Sequence, residues 1–179
     1  MRLESKRIYL RPLCVLDAPI MLESTMDQEI RYMTGTNSIF SLEQIKKHID
    51  HINNDDSRYD FAICLNSNDE MIGELSILDI DEVNKKAGFR ISMAAISLTG
   101  KGYGTEAIKI VLRFVFEQLQ LNRLQLEVFS HNIRGISAYE KVGFVKEGIL
   151  RQSIYIDNRY SDEIIMAILK SDYKNLESI

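Results

Sequence analysis

The chain has 179 residues, 45% of them hydrophobic, which is the size of one compact domain with enough apolar material for a core and argues against a second domain. Lysine and arginine number 22 against 26 acidic residues, a formal net charge of −4, so no broad nucleic-acid or anionic-membrane surface is expected, while a cationic amine ligand is tolerated. The start, Met1-Arg2-Leu3-Glu4-Ser5-Lys6-Arg7, lacks the apolar run of a secretory signal, and no stretch approaches the ~18 uncharged apolar residues of a spanning helix, so a cytoplasmic protein is expected.

In chain order, Ile8, Leu10 and Pro12 alternate with Tyr9, Arg11 and Leu13 as a first strand, and Asp17 with Pro19 opens a helix running to about Met26. Ser41 and Gln44 have capping-box spacing, and Leu42, Ile45, Ile49 and Ile52 form the apolar stripe of a second helix. Phe61, Ile63 and Leu65 predict a strand, Asn66 to Asp69 a turn, and Met71 to Ile80 the returning strand of an antiparallel pair. A third strand spans Ala87 to Met93 and feeds a glycine cluster, after which only Lys109, Arg113 and Glu117 interrupt a long apolar helix, as deep packing against a sheet requires. Leu124, Leu126 and Val128 alternate as a buried strand, Asn132 opens a helix that Gly143 ends, and strands over about 144–151 and 162–169 close the fold. Cys14 and Cys64 have no close cysteine or metal-ligand partner in sequence, so two reduced thiols and no metal site are expected. The result is one α/β (α+β) domain over 1–179, a mostly antiparallel mixed sheet of about six or seven strands flanked by about four helices.

Chemistry concentrates in Leu98-Thr99-Gly100-Lys101-Gly102-Tyr103-Gly104-Thr105-Glu106-Ala107, where three glycines in five residues separate a strand from a helix. Without Cβ atoms, consecutive N–H groups can converge on one point, and the helix adds its unpaired amides and positive dipole end, a nest for a diphosphate. The spacing fits neither a P-loop nor the dinucleotide fingerprint, since position 105 is Thr. Taken alone, the glycines also suit a flexible strand-to-helix connection. Asn132 and Tyr139 lie seven residues apart, nearly two helical turns, so both face one side about 10 Å apart along the axis. A phenol of ordinary pKa about 10 holds a proton it could give to a departing thiolate, although a half-buried helix tyrosine and an N-cap asparagine account for the same residues.

Gly100-Lys101-Gly102-Tyr103-Gly104 followed by Thr105-Glu106-Ala107 resembles the coenzyme motif of the GNAT acetyltransferase superfamily, and Asn132, Ser137, Tyr139, Glu140, Lys141, Gly143 and Phe144 resemble its second motif. Glu147-Gly148, Leu150-Arg151, Tyr160 and Asp162 are similar to the RimJ/RimL branch, and the likeness runs from Lys6 to about Leu169. It implies a GNAT-type fold and transfer of acetyl from acetyl-CoA to a primary amine: a protein N-terminus, a polyamine or another small amine. Ile91, Met93, Gly100, Lys101, Gly102, Tyr103, Gly104, Thr105, Asn132, Tyr139 and Lys141 would hold the coenzyme, with Tyr139 as general acid toward sulfur; relatives commonly form dimers. Thr99 stands where the superfamily often has Gln or Arg, so a side-chain contact is expected to be lost there.

The general base stays open among Glu74, Asp79, Asp81 and Glu127, which are also the candidates for binding the substrate; Asp79 and Asp81 could hold a cationic acceptor, although a solvated hairpin accounts for them as well. His131 reads as a surface residue beside an N-cap, and His48 and His51, three apart, have no evident third ligand for a metal. A non-catalytic acyl-CoA-binding sensor is the alternative function.

Overall fold

The structure, a computed structural model, describes residues 1–177. A single sheet has eight strands: β1 (Leu3–Glu4), β2 (Ile8–Pro12), β3 (Tyr59–Leu65), β4 (Met71–Asp81), β5 (Lys86–Met93), β6 (Arg123–Phe129), β7 (Val145–Ile156) and β8 (Arg159–Leu169). Their spatial order is β1-β2-β3-β4-β5-β6-β8-β7, antiparallel throughout except for the parallel pair β5 and β6. Six α-helices accompany it: α1 (Ala18–Met26), α2 (Gln28–Thr34), α3 (Leu42–Ile52), α4 (Tyr103–Arg113), α5 (Ile133–Lys141) and α6 (Lys170–Glu177).

The sheet is covered on both faces. Ile8, Leu10, Phe61, Ile63, Leu75 and Ile77 pack with α4 in one core, while Tyr9, Ala62 and Cys64 pack with Met21, Ile45 and Ile49 of α1 and α3 in the other. Strict alternation along β3 feeds both, which is why this strand is buried from Asp60 to Cys64. At the end of α4 a π-turn over Phe114–Gln118, closed by the Leu119 amide on the Phe114 carbonyl at 3.0 Å, lets the consecutive Phe114, Val115 and Phe116 all be buried.

The expected sheet was short by the two-residue β1, and the expected helices by α2 and α6. Asp27 is extended at φ −68, ψ 119, and its Oδ1 accepts the Ile30 amide at 2.9 Å, so the chain stops and restarts as α2 just where α1 was expected to end. The last hairpin is also longer than expected, because Asp157 and Asn158, both at positive φ, turn the chain tightly and let β7 and β8 pair through Ile156 and Arg159. Among the described residues no helix is long and apolar enough to cross a membrane.

Candidate active site

The parallel pair is where the sheet opens. Pairing of β5 with β6 covers only Lys86–Gly88 against Arg123–Gln125, yet β5 continues beside β4 to Met93 and β6 beside β8 to Phe129. The Ala94 amide donates to the Ile72 carbonyl on the β4 side at 2.9 Å, so by strand alternation the main-chain groups of Ile91 and Met93 turn the other way, into the gap.

The glycine segment lies at the mouth of this gap. Gly100 and Gly102 take φ of +73 and +84, the left-handed region, and Gly102 is the N-cap of α4. None of the amides of Gly100 through Thr105 has an acceptor among the described residues, the first bonded one being Glu106 to the Gly102 carbonyl at 3.0 Å. Unpaired, closely spaced donors before a helix N-terminus are what a diphosphate needs, so this loop fits the coenzyme. Arg7 braces it from outside, donating to the Lys101 carbonyl at 3.0 Å and to Glu106 Oε2 at 2.7 Å, with its guanidinium over the Tyr103 ring. Burial pushes the Glu106 carboxyl up, but bonds from the Arg7 amide, Ser5 and the Arg7 guanidinium outweigh it and hold the group below its ordinary range.

Two cavities meet in the gap. The first, about 320 Å³, is lined by Ile91 and Met93 on β5, by the loop glycines with Tyr103 and Thr105, and by Asn132, Tyr139 and Lys141 on the α5 side. The structure thus gathers every residue expected at the coenzyme site except Lys101, whose side chain is exposed outside the cleft. The second, about 680 Å³, lies over the sheet face covered by α1 to α3 and shares Ile91, Ser92, Asn132 and Tyr139 with the first.

Tyr139 therefore stands at the junction. Its ring is 8% exposed and packs on Phe144, with centroids 5.7 Å apart. The hydroxyl has no hydrogen-bond partner among the described residues, while no fully buried side-chain polar atom there is left unpaired, so the oxygen must reach the cavity surface. Burial pushes the phenol far above its ordinary pKa and keeps it protonated at neutral pH. Asn132 acts as the N-cap of α5, its Oδ1 accepting the Gly135 amide at 2.9 Å.

The candidate acids separate. Glu74 and Glu127 line the second cavity; Asp79 and Asp81 do not. Asp79 sits at φ 52 in the bulge after Leu78, and Asp81 is occupied in the hairpin turn, accepting the Asn84 amide at 2.8 Å. Glu74 is half-buried, opposite Ser92 in the β4–β5 register, with no hydrogen bond among the described residues, and burial pushes its carboxyl up. Asp60 and Glu163 also line this cavity and were missed; Glu163 pairs opposite Phe129, which period-2 alternation of β8 could have signalled. Asp60 is neutralised by Arg58, in two bonds of 2.6 and 2.8 Å, and accepts from Ser76 at 2.6 Å. His131 is not a surface residue: it is half-buried, stacked on Tyr32, and bonded through one ring nitrogen to Ser161 Oγ and through the other to the Tyr32 carbonyl.

A sheet splayed between two parallel strands, a glycine nest at its mouth and a phenol where two cavities join define an acyl-CoA-dependent acyltransferase. The family described as Acetyltransferase (GNAT) domain matches residues 7–145, and the chain belongs to it. It is 31% identical to a probable N-acetyltransferase of Bacillus subtilis, YjcK, over 95% of this chain and 98% of that one. It is 34% identical to the spermidine N(1)-acetyltransferase of Vibrio cholerae over 59% of this chain and 60% of that one. A crystal structure of the Vibrio cholerae spermidine N-acetyltransferase in complex with CoA and spermine superposes with a TM-score of 0.87 at 26% identity, covering 94% of this chain and 98% of that one. The protein is an acetyl-CoA-dependent N-acetyltransferase that acts on an amine.

Proposed function

We propose that the acceptor is a small polyamine of the spermidine class, bound in the larger cavity and acetylated on a primary amine. The observation that carries this is charge: Glu74, Glu127 and Glu163 line the cavity without an ion-pair partner among the described residues. Asp60 has its own arginine; Arg31 and Arg90 also line the cavity, Arg90 facing Glu74, so the carboxylates still outnumber the cations there. Several unpaired carboxylates favour a ligand with more than one positive charge. The similarity to spermidine N-acetyltransferases supports the same class.

The protons are handled by two residues. Glu74, one strand away from Ile91 and Met93, takes a proton from the bound ammonium, directly or through a water. The neutral nitrogen then attacks the thioester carbon, and the developing oxyanion is met by the main-chain amides that Ile91 or Met93 turns into the gap. As the C–S bond breaks, the Tyr139 hydroxyl protonates the thiolate, giving CoA as its thiol; the second amine proton restores the phenol through water, and Glu74 gives its proton to solvent. An oligomer in the cytoplasm completes the reading; a Vibrio cholerae relative is described as dodecameric.

The test is a thiol-release assay with acetyl-CoA over spermidine, spermine, a short peptide with a free N-terminus and an aminoglycoside. The expected order has spermidine or spermine highest in kcat/KM; a peptide or aminoglycoside ahead of both refutes the polyamine assignment. Binding of acetyl-CoA with no thiol release for spermidine or spermine likewise refutes it.

A further inference from the structure

We propose that Arg134 is a ligand of the coenzyme diphosphate, held beside the glycine nest by Thr99 and Glu29 until the phosphates arrive. Arg134 is in the first turn of α5 and lines the coenzyme cleft. Its Nη1 donates to Thr99 Oγ1, on the residue that immediately precedes Gly100, and its Nη2 donates to Glu29 Oε1 on α2 at 2.9 Å. Thr99 spends its own hydroxyl proton on the Ile96 carbonyl at 2.7 Å, so its oxygen is committed to accepting from the guanidinium and fixes it next to the unpaired amides of the loop.

The other cations nearby are differently placed. Arg7 is committed to Glu106 and the Lys101 carbonyl, and Lys101 is exposed and does not line the cleft. Lys141 lines the cleft too, but from the last turn of α5, at the opposite end of the helix from Arg134. Arg134 also has capacity to spare, since two contacts leave most of its five N–H donors free, and its planar fork matches a phosphate in two bonds. Its resting partner competes poorly: the side chains of Arg134 and Glu29 are 53% and 45% exposed, and an ion pair that open to water is weak. A diphosphate seated on the loop amides offers more charge and a match to the planar fork, so the guanidinium transfers from Glu29 to phosphate while keeping its hold on Thr99.

The experiment is calorimetric titration of the wild-type protein and of R134A, R134K and E29Q with CoA and with 3′-dephospho-CoA, which keeps the diphosphate and lacks the other phosphate. Loss of a charge-assisted contact predicts that R134A raises Kd about 10-fold for both ligands, that R134K recovers part of the loss, and that E29Q binds as tightly as wild type or tighter, because Arg134 loses its competitor. The proposal is overturned if R134A stays within about twofold of wild type. A loss seen with CoA and absent with 3′-dephospho-CoA overturns it in favour of a contact to the 3′-phosphate. An E29Q loss equal to that of R134A overturns it in favour of a purely structural tie between α2 and α5. Wild-type binding of CoA in the same titration tests the coenzyme site separately, so the two readings fail independently. Arg134 and Glu29 are both exposed, and thermal melting of each variant shows whether the fold is kept.

Discussion

Replacing Tyr139 with Phe removes one oxygen and leaves the rest of the site in place. The ring remains 8% exposed against Phe144, and no protein group is orphaned, because the hydroxyl has no partner among the described residues. Stability should therefore change by less than about 1 kcal/mol. The rate should not be spared. General acid assistance is typically worth about 10²–10⁴-fold, and the lower end applies here because a thiol of ordinary pKa about 8.5 is already a fair leaving group. A loss of about 10²-fold corresponds to about 2.7 kcal/mol of barrier. The assay is thiol release at saturating amine, with the coenzyme KM measured in parallel and expected to move less than about threefold. The wild-type rate should also show no loss of the acid up to a pH of about 10, since burial holds this phenol above its ordinary value. A Tyr139→Phe enzyme within about twofold of wild-type turnover refutes the general-acid role, and a melting temperature several degrees lower makes any rate loss structural.

Glu74→Gln should abolish most turnover while stabilising the protein at neutral pH. Burial raises this carboxyl above its unfolded value of 4.5, so between the two values the folded state holds more protons and the carboxylate costs stability as pH rises. The gap in melting temperature between variant and wild type should therefore narrow as pH falls from neutral through the raised folded value and close once pH is below 4.5, and a variant less stable than wild type at neutral pH contradicts the burial argument. Glu163→Gln removes one of the unpaired cavity charges and should raise the KM for spermidine about fivefold, with a smaller rise for a monoamine, measured by the same thiol release. Gly35→Ala should cost about 2–4 kcal/mol in chemical denaturation, since φ is +68 and the new Cβ would lie 2.6 Å from both Ile154 Cδ1 and Phe129 Cε2.

Elements whose signals are local were legible in the sequence. The Ser41–Gln44 box forms in both directions, Asn132 caps α5, and Gly143 leaves that helix at φ +97. Each depends on residues within one turn, so spacing suffices to find it. Helix α2 was not legible, because seven residues give too short a window for a periodic stripe and Asp27 breaks the pattern before it. Alternation gave the core of each strand, yet it could not say how far β7 and β8 would pair, since half of that hairpin faces solvent and leaves no apolar repeat to follow.

The glycine loop with its open amides was determined by the sequence, because such a nest needs only glycine, a following helix N-terminus and the order in which they occur. What the tertiary structure alone decided is which side chains look into the gap. Asp79 and Asp81 resembled Glu74 in sequence, but a bulge and a hairpin turn carry them away while the β4–β5 register aims Glu74 at Ser92. Thr99 read as a lost contact until Arg134, 35 residues later, and Glu29, 105 residues before Arg134, were seen to meet beside it. Such meetings depend on where β5 and β6 part and how α2 and α5 pack beside the gap, geometry set by the summed burial of both cores and encoded in no one segment.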